Sequence, residues 1–212
     1  MKKIYFVRHG ATENNHKNVF QDENTELSEI GLGQARFLAE RFQSIGIDKV
    51  LSSNMKRAVQ TAEHISTLKK TGIESTFLFQ EVLRPTEVRN KSKDDPFVKE
   101  IMKLVKENFN NPSYKYSDEE NFFDLVERAK KSLDYIMGLN GENILVVTHG
   151  QYLTFFIGFL LFKDDFSAKE FKRMEHFFIA KNTGISIVEI DKDKPLLITW
   201  NDHAHLGELD IF

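Results

Sequence analysis

Two short apolar runs in this chain end in the same pair of residues, a histidine followed by a glycine. They are Lys3–Val7, which leads into Arg8-His9-Gly10, and Ile144–Val147, which leads into Thr148-His149-Gly150. Both runs have the composition of buried strands, and open α/β sheets bind ligands at the carboxyl ends of their strands. One His-Gly pair alone is a weak motif. Two copies, with Arg57 between them in sequence, predict a phosphate pocket.

The residue types in these motifs suit phosphoryl transfer. A phosphoryl group carries about two negative charges near neutral pH, so its pocket needs arginine, imidazole or backbone N–H donors. A neutral imidazole nitrogen can also attack phosphorus and form a phosphohistidine. The departing alkoxide then needs a proton, which a nearby carboxylic acid can supply. The sequence offers each of these groups.

Composition limits the classes of function. The chain has 212 residues, of which 41% are hydrophobic and 29% charged, with a net charge of −3. It therefore has no global basic field for nucleic acid or an anionic membrane. Cysteine is absent, which is compatible with a reducing cytoplasm. The apolar start is too short for a signal peptide, and the apolar run at 153–162 is about half the length of a membrane span. We expect a cytoplasmic protein.

Strand-like and helix-like patterns alternate along the chain. Strands are expected at 3–7, 49–52, 76–79, 143–148, 184–190 and 196–200, with a turn over 191–195. A first helix is expected to begin after an N-cap at Ser28 and to end at Gly46, and a second to follow a cap at Ser53 or Asn54 and to run through Ile65. Two more are expected over about 122–137 and from about Tyr152. Polar connections are expected at 13–26 and in the stretch that ends at His176. This alternation predicts an α/β fold, a three-layer α/β/α sandwich with a mostly parallel sheet.

Residues from about 84 to 121 differ from the rest of the chain. They mix charged residues and asparagines with scattered aromatics. Phe97, Ile101, Leu104 and Val105 form a helical stripe, which Pro112 ends. We predict one domain over residues 1–212, with a small helical cap inserted at about 84–121 over the strand ends.

The motifs resemble, in order, those of the histidine phosphatase superfamily, which has the phosphoglycerate-mutase-like fold. The matching segments are Arg8-His9-Gly10 with Thr12 and Asn15, Leu27-Ser28-Glu29 with Gly31, Ser52-Ser53 with Arg57-Ala58, Val147-Thr148-His149-Gly150, Asn182-Thr183-Gly184, and Asn201-Asp202 with His205. The resemblance covers nearly the whole chain except residues 90–121. Three positions near the pocket depart from the usual pattern, namely Ala11, Asn14 and Gln21, which bears on the substrate more than on the chemistry.

The resemblance implies roles for individual residues. His9 would be the nucleophile, while Arg8, Arg57 and His149 would hold the phosphoryl oxygens. Asn15 would add an amide donor, and Gly150 and Gln151 would complete the phosphate site. Thr12 is left open between phosphate contact and ordinary loop hydrogen bonding. His205 is expected to support structure.

The proton donor is a choice between two carboxylates. Phosphatases of this superfamily often place the acid just before a Pro-Ser/Thr-Glu turn, and here Pro85-Thr86-Glu87 follows Glu81. Glu81 also follows the strand expected at 76–79, which places it at the sheet edge. We therefore predict Glu81 as the general acid, with Glu87 as the alternative.

Three functions are compatible with these residues. The leading hypothesis is a phosphomonoesterase that transfers phosphate from a small organic phosphate to His9 and then to water. The alternatives are a phosphoglycerate-type mutase, whose relatives tend to be longer, and a non-catalytic phosphate-binding module, which should have lost one of the motif residues. No cofactor is expected. No metal is expected either, since His203 and His205, which should share one strand face, lack carboxylate or cysteine partners at ligand spacing. The protein would be a monomer or a homodimer.

Overall fold

A computed structural model describes residues 1–191 and 194–209 of the chain. The strands are β1 (Lys2–Arg8), β2 (Lys49–Ser53), β3 (Ile73–Thr76), β4 (Asn143–Thr148), β5 (Ile185–Asp191) and β6 (Lys194–Asp202). The helices are α1 (Glu13–His16), α2 (Glu29–Arg41), α3 (Lys56–Lys69), α4 (Pro96–Asn108), α5 (Phe122–Gly138), α6 (Gly150–Phe162) and α7 (Ala168–Phe177).

The six described strands form one sheet in the order β3-β2-β4-β1-β5-β6. The pairs β1/β4, β2/β4 and β2/β3 are parallel. Strand β5 is antiparallel to both of its neighbours, β1 and β6, so it runs against the other five. The predicted α/β class with a mostly parallel sheet is confirmed.

Helices cover both faces of the sheet because side chains alternate along each buried strand. On β1, Tyr5 and Val7 pack into an apolar cluster with α2 and α3. Ile4 and Phe6 point to the opposite face and join a larger cluster with α5 and α6. These two clusters are the two interfaces of a three-layer sandwich.

The segment 84–121 contains α4 and a small apolar cluster of its own, made by Val88, Val98, Ile101, Met102 and Val105. The predicted stripe on α4 was only partly right. Phe97 and Leu104 are exposed, because the buried face turns toward Val98 and Met102 instead. Whether the segment is an insertion into a single domain stays a prediction.

Several predicted element boundaries were wrong. The strand expected at 76–79 is β3 over Ile73–Thr76, and Phe77–Phe79 forms a 3-10 turn. The short helix α1 lies in the expected polar loop, because Thr12 and Asn15 form a capping box. The expected polar connection before His176 contains α7. Its apolar face is short, since only Phe171 and Met174 are buried on this helix.

Helix caps were predicted with mixed success. Ser28 caps α2 as expected, but that helix ends at Arg41 rather than continuing to Gly46. The N-cap of α3 is Met55, which makes no side-chain cap bond, whereas Ser53 or Asn54 was expected in that role. Helix α6 begins at Gly150, two residues before the expected start. The expected turn at 191–195 lies partly outside the described residues.

Within the described residues, no helix combines the length and apolar composition that crossing a bilayer requires.

Candidate active site

His9 follows the carboxyl end of β1 beside the end of β4. Its backbone N–H donates to Thr148 O at 2.9 Å, and its ring is buried, with only 3% of the residue exposed. Nδ1 lies 2.7 Å from Gly10 O. Because a carbonyl oxygen only accepts, Nδ1 carries the hydrogen and Nε2 keeps its lone pair. The nucleophilic nitrogen is therefore the one that faces away from the backbone.

The charge state of His9 is set by its surroundings. Burial lowers its pKa well below 6.5, and the positive charges of Arg57 and Arg8 lower it further. The imidazole is thus neutral near neutral pH. A neutral ring with a free Nε2 lone pair has the form required for attack on phosphorus.

Close backbone packing positions the loop that carries His9. A Cβ atom on Gly31 would lie 2.0 Å from Ala11 O, and one on Gly10 would lie 2.7 Å from Gly31 O. Only glycine fits where the loop after β1 crosses the start of α2. This contact accounts for the glycine in the Ser28-Glu29-Ile30-Gly31 motif.

Arg57 lies in the first turn of α3 and contacts the nucleophile directly. Its Nε donates to His9 Nε2 at 3.3 Å, and its Nη1 donates to Asp22 O at 2.7 Å. It is 2% exposed, and burial lowers its pKa to about 10, so it stays cationic near neutral pH. A phosphoryl group bound at His9 Nε2 would therefore meet this guanidinium.

Arg8 and His149 lie next to His9 and keep unpaired buried nitrogens. Arg8 Nη1 donates to Ala180 O at 2.7 Å, and the rings of His9 and His149 are 5.0 Å apart. His149 Nε2 lies 2.8 Å from Ser53 Oγ. Among the described residues, Arg8 Nε and His149 Nδ1 have no hydrogen-bond partner. Buried polar atoms are normally paired, so these two fit a site that an anionic ligand completes.

Burial also lowers the pKa of His149 well below 6.5, with Arg57 as the largest charged contributor. The ring is therefore neutral near neutral pH when the site holds no ligand. Ser53, which was predicted as a possible helix cap and belongs to the Ser52-Ser53 motif, has its hydroxyl beside this ring.

Glu81 follows the 3-10 turn after β3 and lies at the start of α6. Its Oε1 accepts from the backbone N–H groups of Val82 and Tyr152, both at 2.9 Å, and its Oε2 accepts from Gln151 N–H at 3.4 Å. It lines the same cavity as His9. Glu87 instead accepts a hydrogen bond from Ser117 Oγ at 2.8 Å and is not among the described cavity residues. The geometry favours Glu81 over Glu87.

The remaining predicted site residues differ in their access to the cavity. Asn15 lines it, and its Oδ1 accepts from both the N–H and the hydroxyl of Thr12, which leaves the amide NH₂ as the free donor. Thr12 is fully buried, so it orients Asn15. Of the two roles considered for Thr12, these contacts fit hydrogen bonding within the loop.

Gly150 and Gln151 begin α6. A Cβ atom on Gly150 would lie 3.4 Å from Arg8 Nε, an ordinary van der Waals contact, so Gly150 lies directly against the Arg8 side chain. The Gln151 side chain accepts from Arg84 and donates to Glu175. The structure thus places Gln151 at the cavity wall, beside the predicted phosphate site.

The cavity lined by Arg8, His9, Arg57, Glu81 and Gln151 has a volume of about 1310 Å³, and His149 and Gly150 lie behind its described lining. Its base is formed by Arg8, His9 and Arg57, and its walls include residues of α4 and α7. Most ligand pockets measure about 300–1,000 Å³. The space therefore exceeds what a phosphate group and a small sugar would fill.

Several residues of the site were not identified from sequence. Asn182 Nδ2 donates to His9 O at 2.8 Å, and Thr183, in the left-handed region at φ 54°, donates its N–H to Arg8 O at 2.9 Å. Arg128 and Glu120 form a buried salt bridge below Glu81. The Asn182-Thr183 motif was noted from the resemblance, but isolated charges such as Arg128 carry no local pattern.

In the described part of the chain, no three histidine, aspartate or glutamate side chains cluster in a way that could hold a metal ion. The pair His203 and His205 was expected to share a strand face, which is wrong because β6 ends at Asp202. His203 Nδ1 lies 2.7 Å from Asn201 O, and His205 Nε2 lies 3.1 Å from Thr183 Oγ1.

Comparison with known proteins identifies the family. The model of the histidine phosphatase superfamily (branch 1) matches residues 4–203. The chain belongs to this superfamily, as the motifs predicted.

Individual relatives match along almost the whole chain. A probable phosphatase of Schizosaccharomyces pombe is 30% identical over 96% of this chain and 95% of its own length. A broad-specificity phosphatase of Saccharomyces cerevisiae is 25% identical over 97% of this chain and 88% of its own. The crystal structure of a phosphoserine phosphatase variant from Entamoeba histolytica superposes with a TM-score of 0.79 at 23% identity, over 97% and 100% of the two chains.

Proposed function

We propose that this protein is a phosphomonoester hydrolase that works through a phosphohistidine on His9. The observation that carries the proposal is the ring of His9: it is buried and neutral, with Nδ1 held by Gly10 O and Nε2 beside the Arg57 guanidinium. The phosphatases among the relatives of this chain support the same reaction class.

The reaction has two steps. In the first, His9 Nε2 attacks the phosphorus of the ester, the N–P bond forms and the P–O bond to the alcohol breaks. Glu81, protonated at that stage, donates its proton to the departing oxygen. In the second step, Glu81 takes a proton from water as the water attacks phosphorus, and inorganic phosphate leaves with the His9 lone pair restored.

The cationic groups act on the charge of the transferring phosphoryl group. Arg8 and Arg57 donate charge-assisted hydrogen bonds to its oxygens. The unpaired His149 Nδ1 and Arg8 Nε are available for the same purpose, and the Asn15 amide adds a neutral donor. No metal is required in this scheme, because these side chains supply the positive charge.

The substrate is a small organic phosphate ester, and the protein acts in the cytoplasm on soluble substrate, as monomer or homodimer. The absence of cysteine agrees with a reducing compartment.

A trapping experiment tests the proposal. The purified protein is mixed with ³²P-labelled phosphate ester in EDTA and quenched rapidly. We expect label on the protein that is stable in base and labile in acid, and free phosphate in steady state. His9→Gln should show neither label nor turnover while unfolding at a similar temperature.

Three results would contradict parts of the proposal. Acid-stable label would exclude a phosphohistidine, and loss of activity in EDTA would exclude metal independence. Transfer of the phosphoryl group to a second hydroxyl of the substrate, without free phosphate, would favour a mutase.

A further inference from the structure

Two cations in the cavity are left over by the proposed chemistry. Arg84 and Lys93 both line the cavity that contains His9, and both come from the segment 84–121. Arg84 Nη2 donates to the side-chain oxygen of Gln151, and Lys93 Nζ lies 5.3 Å from the centre of the Phe20 ring. Neither residue belongs to a motif that explains it.

These two cations form no direct salt bridge among the described residues, unlike others nearby. Lys99 pairs with Asp94 at 3.4 Å and Arg89 pairs with Asp118 at 2.5 Å, whereas within the described residues Arg84 and Lys93 form no salt bridge. A cation turned into a cavity without a counterion is unfavourable unless a ligand supplies the charge.

The carboxylates that face Arg84 are already engaged. Glu81 accepts backbone N–H groups at the start of α6, and Glu175 accepts from the Gln151 amide. Burial lowers the pKa of Arg84 despite these carboxylates, and burial together with Arg84 and Arg8 lowers that of Lys93. Arg84 and Arg8 thus repel Lys93, which Glu81 offsets only in part, and a ligand anion beside Arg84 and Lys93 would reduce this repulsion further.

The charged residues that line the cavity are mostly positive. Counted over the described lining residues, ten are arginine or lysine and five are aspartate or glutamate, although the chain has a net charge of −3. One phosphoryl group held by Arg8 and Arg57 balances only part of this excess. The rest favours a substrate with more negative charge than a single phosphate carries.

We propose that Arg84 and Lys93 form a second anion subsite that selects phosphomonoesters whose body carries a further carboxylate or phosphate group. This inference rests on the proposed function, since the phosphoryl group must bind at His9. Arg84 would bind the second anion directly because its planar guanidinium suits carboxylate and phosphate oxygens, with Lys93 as a point charge. Apolar residues of the same wall, Val82 and Leu83, would contact the substrate body.

The test compares esters that differ only in the second charge. Phenyl phosphate is compared with its 3- and 4-carboxyphenyl analogues, and (phosphonomethyl)phenyl phosphate serves as the arm for a second phosphate-like group. We expect the wild type to have a lower KM for at least one ester whose body carries the second anionic group than for phenyl phosphate. Arg84→Gln should raise that KM about tenfold or more, the loss expected for a hydrogen bond to a charged group, and leave the KM and kcat of phenyl phosphate within about threefold.

Two further variants sharpen the comparison. Lys99→Gln removes a cation that lines the same cavity but is paired with Asp94, so the preference should persist. Lys93→Gln should lower the preference, by less than Arg84→Gln.

The outcomes separate this inference from the proposed function. If phenyl phosphate is hydrolysed and no ester with a second anionic group is preferred over it, the subsite is wrong while the hydrolase stands. If Arg84→Gln slows every ester equally, Arg84 acts on the chemistry and the subsite is also wrong. If no ester is hydrolysed, the proposed function itself has failed.

Discussion

Arg128 and Glu120 form a buried two-point salt bridge, with Arg128 Nε 2.7 Å from Glu120 Oε1 and Nη2 2.7 Å from Oε2. Further hydrogen bonds of the pair reach the segment that carries Glu81. Arg128 Nη1 donates to Gln80 O at 2.7 Å, and Glu120 accepts from Leu83 N–H at 3.0 Å. The backbone is thus held on both sides of Glu81.

The same guanidinium reaches the other group that holds Glu81. Arg128 lies 4.0 Å from the centre of the Tyr152 ring, and Tyr152 N–H donates to Glu81 Oε1. We infer that Arg128 is a positioning residue for the proposed general acid. It is not a catalytic residue, since the described residues that line the cavity do not include it.

Arg128→Met should destabilise the protein by about 3–5 kcal/mol in urea unfolding, because Glu120 would keep its charge in a buried site without a partner. The double variant Arg128→Met with Glu120→Gln should recover most of that loss, since the glutamine is neutral and can still accept from Leu83 N–H.

Activity separates positioning from stability in this double variant. Although its stability is restored, the double variant should lose more of the wild-type rate with alkyl phosphates than with p-nitrophenyl phosphate, because Glu81 is no longer held in position. An equal loss of rate for both esters, relative to wild type, would show that the salt bridge serves stability alone.

Glu81→Gln tests the acid itself. Alkyl phosphates, whose leaving oxygen is basic, should lose about 100-fold or more in kcat, whereas p-nitrophenyl phosphate should lose far less because its leaving group hardly needs a proton. Glu87→Gln is the matched control, since Glu87 bonds to Ser117 away from the cavity. If the Glu87 variant shows the dependence on leaving group, the roles are reversed.

The sequence contained the information for the base of the site because those residues follow strands at short, regular spacing. His9 and His149 each follow a strand directly, and Arg57 follows β2 by one helical turn. Parallel strands end at one edge of a sheet, so their order along the chain was enough to bring them together.

The cavity walls could not be predicted in the same way. Arg84, Lys93 and Gln151 line one cavity together with residues of α4 and α7. Helix α7 itself was missed because only Phe171 and Met174 on it are buried. Contacts between residues so distant in sequence leave no periodic pattern. The shape of the cavity, and with it the substrate, therefore required the structure.

Arg57→Gln should lower kcat/KM by several orders of magnitude, since this guanidinium would contact the phosphoryl group as its charge changes in the transition state. Arg57→Lys should also be strongly impaired, because a lysine keeps the charge but cannot contact His9 and Asp22 O together. Arg36→Gln, on the exposed side of α2, is the control for a lost surface arginine. Near-normal turnover of Arg57→Gln would place the phosphate elsewhere.

The two buried histidines should make stability depend on pH in a defined direction. Burial holds the pKa of both His9 and His149 well below 6.5 in the folded protein, while the unfolded chain takes up protons near pH 6.5. The unfolded state therefore binds more protons below that pH, and the free energy of unfolding falls as the pH is lowered.

The expected slope is up to about 1.4 kcal/mol per pH unit for each histidine. The substitution His149→Gln removes one of the two buried histidines that titrate, and the glutamine side chain can still form a hydrogen bond to Ser53. Urea unfolding of wild type and variant is measured from pH 8 to about pH 5, in a buffer free of phosphate because a bound anion would itself stabilise the folded state. The difference between the two curves should be flat above pH 7.5 and should change steadily below pH 6.5, as the wild type loses stability faster. Parallel curves would mean that His149 takes up its proton in the folded protein at about the same pH as in the unfolded chain.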